Sequence, residues 1–169
     1  MNNETNQNGA AMLTEQTRNT IDHWVAKFPA DKKRSALIQS LMAAQEQNGG
    51  WITAELTEAV ADYLEVPPVW AHEVVSFYSM FFSKPVGRHK VNICTNISCW
   101  LNGADQLLEH AEKKLGVQLG GTTEDGRITL VREEECLAGC CGAPMAVVDG
   151  HYKENLDIEK LDVLLDGLE

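Results

Sequence analysis

The sequence is poor in basic residues and lacks the glycine motifs of nucleotide-binding proteins. Lys and Arg together number 14 against 25 Asp and Glu, which leaves a net charge of −11. A chain this acidic repels nucleic-acid phosphates and anionic lipid surfaces, so we expect no nucleic-acid partner and no direct membrane insertion. Neither a G-x-G-x-x-G pattern nor a P-loop occurs, and we therefore expect no NADH or flavin site on this chain.

Two further patterns are missing, a long apolar run and a signal peptide. The longest uncharged apolar run covers residues 74–82, whereas a membrane span needs roughly 20 residues. Residues 1–10 are polar and contain no Lys or Arg, unlike a secretory signal. We expect a cytoplasmic protein, and in a reducing cytosol its five cysteines are more typical of metal ligands or redox thiols than of disulfides.

The front of the chain has the pattern of a small helical domain. Residues 1–13 are rich in Asn, Gln and Thr and predict a disordered tail. Residues 14–82 carry four apolar stripes at helical spacing, punctuated by Gly49-Gly50 and Pro67-Pro68. Residues 83–88 predict a linker.

Residues 89–169 predict a βαβ unit followed by a ββα unit. The strands alternate apolar and polar residues, and Asp149-Gly150 is a two-residue hairpin turn. The fold class is therefore α+β, with about four N-terminal helices before the sheet. The predicted elements are strand 89–94, helix 101–115, strand 127–132, hairpin strands 145–148 and 151–153, and a last helix capped by Asp157.

Four cysteines fall into two spaced pairs, Cys94-x4-Cys99 and Cys136-x3-Cys140. Each pair follows a predicted strand, and adjacent parallel strands bring such positions to the same edge of a sheet. Four thiolates suit either zinc or an iron–sulfur cluster. Zinc sites favour the tighter C-x2-C spacing, so these longer intervals favour a 2Fe–2S cluster. Zinc, thiol chemistry and plain structural cysteines stay open at this point, although a redox C-x-x-C is absent.

The remaining sequence features predict more modest roles. Cys141 directly follows Cys140, so we expect its side chain to point away from the site as a small buried residue. The alternative is a substitute ligand or an oxidation-sensitive thiol. The five histidines form no metal-binding pattern. Several aromatic residues predict mainly a helical core, with a surface for a partner as the alternative: Trp70, Phe77, Tyr78, Phe81 and Phe82.

The cysteine segments resemble the thioredoxin-like 2Fe–2S ferredoxin family. Within it, the chain is similar to the 24 kDa subunits, known in bacteria as E-type subunits, of proton-pumping NADH:quinone oxidoreductases. The similarity extends over nearly everything after the tail, with several motifs in the same order. The segments that carry it are residues 94–99, 135–140, 142–145, 75–81, 85–88 and 123–127.

This resemblance implies both a cofactor and a partner. It assigns Cys94, Cys99, Cys136 and Cys140 as ligands of one 2Fe–2S cluster, and Pro144 as a proline that is often cis. It implies an electron-transfer subunit without activity of its own, beside a flavin- and NADH-binding subunit of the F type that holds FMN. The complex would lie on the cytoplasmic side of the inner membrane.

Two alternatives to this function remain. The alternatives are the diaphorase subunit of an NAD-linked hydrogenase or formate dehydrogenase, and a zinc-stabilised structural subunit. We expect the acidic residues Glu133, Glu134 and Glu135 to favour the oxidised cluster.

Overall fold

The structure, a computed structural model, describes residues 11–132 and 136–169. The chain divides into two compact units, one ending at Pro85 and the other beginning at Val86. This division lies within the linker expected at residues 83–88. The domain bounds themselves stay a prediction. No helix in the described part of the chain is long and apolar enough to cross a membrane.

The first unit is helical, as its stripes and punctuation predict. Thr53 caps the third helix, because its hydroxyl accepts a hydrogen bond from the Leu56 N–H at 3.1 Å. Pro68 occupies the first position of the fourth helix, where a backbone N–H would have no partner within the helix, so proline loses no hydrogen bond there. The helices are α1 (Glu15–Val25), a 3-10 helix (Ala30–Ala36), α2 (Leu37–Gln47), α3 (Ala54–Leu64) and α4 (Pro68–Phe77).

Only some of the apolar residues of this unit lie in its core. Leu13, which the sequence assigns to the tail, is buried in that core. The aromatic set divides: Phe81 is buried, Trp70 packs against the core, and Phe77 and Tyr78 are exposed. The core interpretation therefore holds for Phe81 and Trp70, whereas a partner surface at Phe77 and Tyr78 stays a prediction.

The second unit is built on a four-stranded mixed sheet of order β2-β1-β3-β4. Its strands are β1 (His89–Ile93), β2 (Ile128–Leu130), β3 (Ala146–Val148) and β4 (His151–Lys153). Strand β1 pairs parallel with β2 and antiparallel with β3. The parallel β1–β2 pair and the β3–β4 hairpin confirm the predicted βαβ–ββα order.

Three helices complete this unit: α5 (Ile97–Leu101), α6 (Ala104–Leu115) and α7 (Ile158–Asp166). Leu107 and Ala111 of α6 and Leu161 and Leu165 of α7 share one buried core with the strands. The sequence predicts one helix from Leu101, whereas the structure has two helices separated at Asn102-Gly103. The α+β fold class itself is confirmed.

One side chain joins the hairpin turn to the first strand. Asp149 accepts hydrogen bonds from the Lys90 N–H at 2.8 Å and from His89 Nδ1 at 2.7 Å. Burial alone would raise the pKa of Asp149. The hydrogen bonds from His89 and Lys90 outweigh burial and hold this pKa below its usual value.

We expect Asp149→Asn to destabilise the protein by about 1–2 kcal/mol at neutral pH, because a charged acceptor is lost. A carboxyl whose pKa is lowered by folding stabilises the protein above its unfolded pKa, and this stabilisation is lost as the pH falls through the folded value. Denaturant unfolding should therefore separate the two proteins at pH 7. The difference should begin to shrink below about pH 4, near the unfolded pKa, and disappear only below the lowered folded pKa. Asp31→Asn, at an exposed ion pair, is the control and should change the free energy of unfolding by less than about 0.5 kcal/mol.

Candidate metal centre

Four cysteines from two separate segments line a single cavity at one edge of the sheet. Its volume is about 370 Å³, and its lining is mostly apolar. The lining residues are Cys94, Asn96, Ile97, Ser98, Cys99, Leu101, Cys136 and Cys140. All four cysteines that the spacing singles out are therefore brought together.

The first pair is buried and held by regular structure. Cys94 directly follows β1 and is 2% exposed, and its N–H donates to the Met145 carbonyl at 3.1 Å. Cys99 lies inside α5 and is 1% exposed. The helix begins because the Asn96 side chain caps it by accepting from the Ile97 N–H. The sequence instead predicts that the helix starts after Cys99.

The second pair is exposed and lies on a tight loop. The Sγ atoms of Cys136 and Cys140 are 3.4 Å apart. Between them, Ala138 has a φ of +60°, in the left-handed region that side chains rarely adopt. In this conformation its N–H points at the Cys136 sulfur, at 3.4 Å.

The pKa values of Cys99, Cys136 and Cys140 are shifted in different directions because the surroundings of these thiols differ. Burial, with the Cys94 thiol beside it, raises the pKa of Cys99 to about 11. The Ala138 N–H lowers the pKa of Cys136, whereas the neighbouring Cys136 raises the pKa of Cys140. Four sulfurs this close repel one another as thiolates, so a positive group among them is needed to hold all four deprotonated.

Cys141 lies outside this arrangement. It does not line the cavity, as expected, but it is exposed, and the prediction of a small buried residue is therefore wrong. The physical reason is local. Residues Cys140–Gly142 form a single 3-10 turn, in which the two cysteines are exposed and Gly142 is buried. The second residue of such a turn faces away from its predecessor.

The position after Cys141, Gly142, has no room for a side chain. A Cβ at this position would lie 2.5 Å from the Cβ of Glu154. Its carbonyl accepts from the Asn155 N–H at 2.7 Å, so the loop is fixed against the β4–α7 connection. The next peptide bond, Ala143–Pro144, is cis, as the family resemblance implies for Pro144.

We expect Gly142→Ala to destabilise the protein by about 1–3 kcal/mol, because the added methyl group overpacks this contact. Glu154→Gly removes the side-chain atoms that the new methyl group would contact. The double variant Gly142→Ala/Glu154→Gly should therefore be more stable than the sum of the single effects predicts. Denaturant unfolding of the four proteins measures this coupling. Strict additivity would show that Glu154 does not limit the space at Gly142.

The four cysteines line the walls of this cavity. In residues 11–132 and 136–169, no group of three or more His, Cys, Asp or Glu side chains that could hold a metal ion is found. The predicted acidic neighbours Glu133, Glu134 and Glu135 lie outside the described residues.

Comparison with known proteins places the cysteine segments in a family. The family model "Thioredoxin-like [2Fe-2S] ferredoxin" matches residues 21–169. The NADH-quinone oxidoreductase E subunit of Rickettsia felis is 44% identical over 88% of this chain and 88% of its own length. NADH dehydrogenase [ubiquinone] flavoprotein 2, mitochondrial, of Dictyostelium discoideum is 37% identical over 92% of this chain and 63% of its own.

A solved structure is also similar. The crystal structure of an NAD+-reducing [NiFe]-hydrogenase in the air-oxidised state superposes with a TM-score of 0.62 and 25% identity. It covers 75% of this chain, which spans only 22% of the hydrogenase chain.

These relatives decide between the cofactors that the spacing leaves open. The match covers both cysteine pairs, and the predicted 2Fe–2S cofactor and the predicted role in an NADH-oxidising oxidoreductase are confirmed. The chain belongs to the thioredoxin-like [2Fe-2S] ferredoxin family, together with the E-type subunits of NADH-quinone oxidoreductases.

Proposed function

We propose that Cys94, Cys99, Cys136 and Cys140 hold the 2Fe–2S cluster, and that the chain serves as a one-electron relay beside the flavin of a partner subunit. The observation that carries this proposal is the shared cavity, which is lined by these four cysteines and leaves Cys141 outside. When bound, a 2Fe–2S cluster accepts and returns single electrons.

The residues around the cavity fit such a group. Two pairs of thiols suit a two-iron cluster, since each pair can serve one iron, and about 370 Å³ is ample space for several atoms. Ile97 and Leu101 make part of the lining apolar, and Cys94 and Cys99 are buried away from water. The Ala138 N–H, already directed at Cys136, would donate to a ligand sulfur and stabilise its negative charge.

The partner follows from what this chain lacks as well as from its relatives. NADH delivers two electrons as a hydride, which requires a flavin to divide them before a one-electron centre is used. The sequence has no nucleotide-binding motif, so we assign FMN and NADH to a flavin- and NADH-binding partner of the F type. The assembled complex would lie peripherally on the cytoplasmic side of the inner membrane.

A diaphorase subunit of an NAD-linked hydrogenase is the second candidate. The observation that favours it is the structural similarity to the NAD+-reducing [NiFe]-hydrogenase. The sequence identity to the quinone-linked relative of Rickettsia felis is higher and covers most of that protein's length, which is why we favour the quinone-linked complex.

Metal analysis of the whole chain tests the cofactor. Anaerobically purified protein should contain about two irons and two acid-labile sulfides per chain, and reduction should give an S = 1/2 signal. The structural-zinc alternative predicts one zinc, no labile sulfide and no colour. Finding that set in a freshly prepared sample would overturn the proposal.

A further inference from the structure

We propose that Cys136 and Cys140 close into an intramolecular disulfide when the chain meets a disulfide oxidant before its cluster is inserted, and that this bond is a reversible redox gate on cluster loading. The inference rests on the proposed function, because the gate controls the same four ligands. The observation that carries it is the distance of 3.4 Å between the two Sγ atoms, on cysteines that are both exposed.

The loop already holds the two sulfurs near bonding distance. A disulfide needs about 2.05 Å between its sulfurs, so the Sγ atoms of Cys136 and Cys140 have to approach by about 1.4 Å. The backbone that follows is fixed, because the Gly142 N–H donates to the Gly139 carbonyl at 3.0 Å and the Gly142 carbonyl accepts from the Asn155 N–H at 2.7 Å. Both cysteines are exposed, so rotation of their side chains closes the bond without moving the core.

Accessibility selects this pair over the other cysteines. Cys94 and Cys99 are only 2% and 1% exposed, so a bulky oxidant such as oxidised glutathione does not reach their sulfurs. Cys141 is exposed, but a bond between the adjacent residues Cys140 and Cys141 would close a small, strained ring. The exposed pair Cys136 and Cys140 is therefore the one that reacts.

The oxidation balances with oxidised glutathione as the oxidant. The sulfur of one cysteine attacks a glutathione sulfur, which breaks the glutathione S–S bond and releases one glutathione thiol. The second cysteine then attacks the sulfur of the first, forms the internal S–S bond and releases the second glutathione. In total the two cysteines lose two protons and two electrons, and both pass to the two glutathione thiols.

The internal bond closes the site to the cluster. Cluster irons are held by thiolates, and a disulfide contains none, so the closed chain keeps only Cys94 and Cys99 as ligands. Exposed disulfides are the more readily reduced ones, and a dithiol restores the four thiols. A newly made chain that meets oxidising conditions is thereby held in a reversible form, and its exposed sulfurs are kept from irreversible oxidation to sulfinic acid.

Peptide mapping of the full chain tests the bond. The cluster is removed anaerobically, the chain is treated with oxidised glutathione, and free thiols are alkylated under denaturing conditions before digestion. We expect one disulfide, between Cys136 and Cys140, with Cys94, Cys99 and Cys141 alkylated. Cys141→Ala is the matched control and should give the same bond, whereas Cys140→Ala should stop at a glutathione adduct of Cys136. Scrambled pairs, or a lasting glutathione adduct in the unsubstituted chain, would rule out the disulfide.

Cluster transfer tests the gate and separates it from the proposed function. The donor is a scaffold protein preloaded with a 2Fe–2S cluster, without free sulfide or thiol, because both reduce disulfides. The reduced chain should gain about two irons and two sulfides, and the oxidised chain should stay colourless until dithiothreitol is added. Equal loading of the two forms would show that the gate is wrong while the function stands. If the reduced chain also takes up no cluster, the proposed function fails, and the gate fails with it.

Discussion

Replacing Cys99 by alanine is expected to abolish the 2Fe–2S cluster. Cys99 is buried, follows the Asn96 cap of α5, and lines the cavity with Cys94. Beyond these two, the remaining cysteines are exposed, so no spare buried thiol can take its place. The iron that loses this thiolate would have the cavity's apolar groups, the Asn96 amide and the Ser98 hydroxyl nearby, and none of these replaces a thiolate as an iron ligand. Alanine at Cys94, Cys136 or Cys140 should have the same effect or leave a labile cluster.

Cys141→Ala is the matched control for this series. Cys141 neighbours Cys140 in sequence and is likewise exposed, but it does not line the cavity. The variant should keep the full visible spectrum, about two irons and two sulfides per chain, and the signal of the reduced protein. A bleached Cys141→Ala protein beside a coloured Cys140→Ala protein would shift the ligand assignment by one residue.

Much of this site could be predicted from the sequence because strand ends and cysteine spacing are local signals. The alternation before Cys94 predicts β1, and the parallel pairing with β2 brings the two cysteine segments to one edge of the sheet. The ββα half follows in the same way from the Asp149-Gly150 turn and from Asp157, whose side chain accepts from the Lys160 N–H at 2.8 Å.

The features that the sequence does not predict depend on short segments or on tertiary contacts. Helix α5 has only five residues, too few for an apolar period to appear, and its signal is the single cap Asn96. The exposure of Cys141 depends on a one-turn 3-10 helix. The space constraint at Gly142 arises from Glu154, which meets the cysteine loop only when the hairpin folds. Leu13 enters the core through packing against the helices, which composition alone does not reveal.

The charge distribution, too, is predictable from the sequence only in part. The net charge of −11 is readable from composition, but only the fold shows that the uncharged segments 91–104 and 136–148 meet at one edge of the sheet.

NADH oxidation is expected to be absent from the isolated chain and to appear only with the flavin-binding subunit. The chain has a ligand set for a one-electron centre, and NADH releases its electrons as a hydride pair. We therefore expect no NADH-dependent reduction of ferricyanide by the flavin-free chain. Addition of the flavin-binding subunit should produce that activity together with a stable complex.

The contribution of this chain to that activity has to be separated from the partner's own. The flavin subunit is assayed alone under identical conditions, and the Cys99→Ala chain provides a version of this protein without its cluster. The informative signal is the paramagnetic spectrum of the 2Fe–2S protein, followed in the complex with and without NADH. Rapid NADH oxidation by the isolated, flavin-free chain would contradict the subunit assignment, because no nucleotide motif in the sequence accounts for it. Retained activity with the Cys99→Ala chain would instead leave the assignment intact, since it would show that ferricyanide takes electrons from the flavin directly.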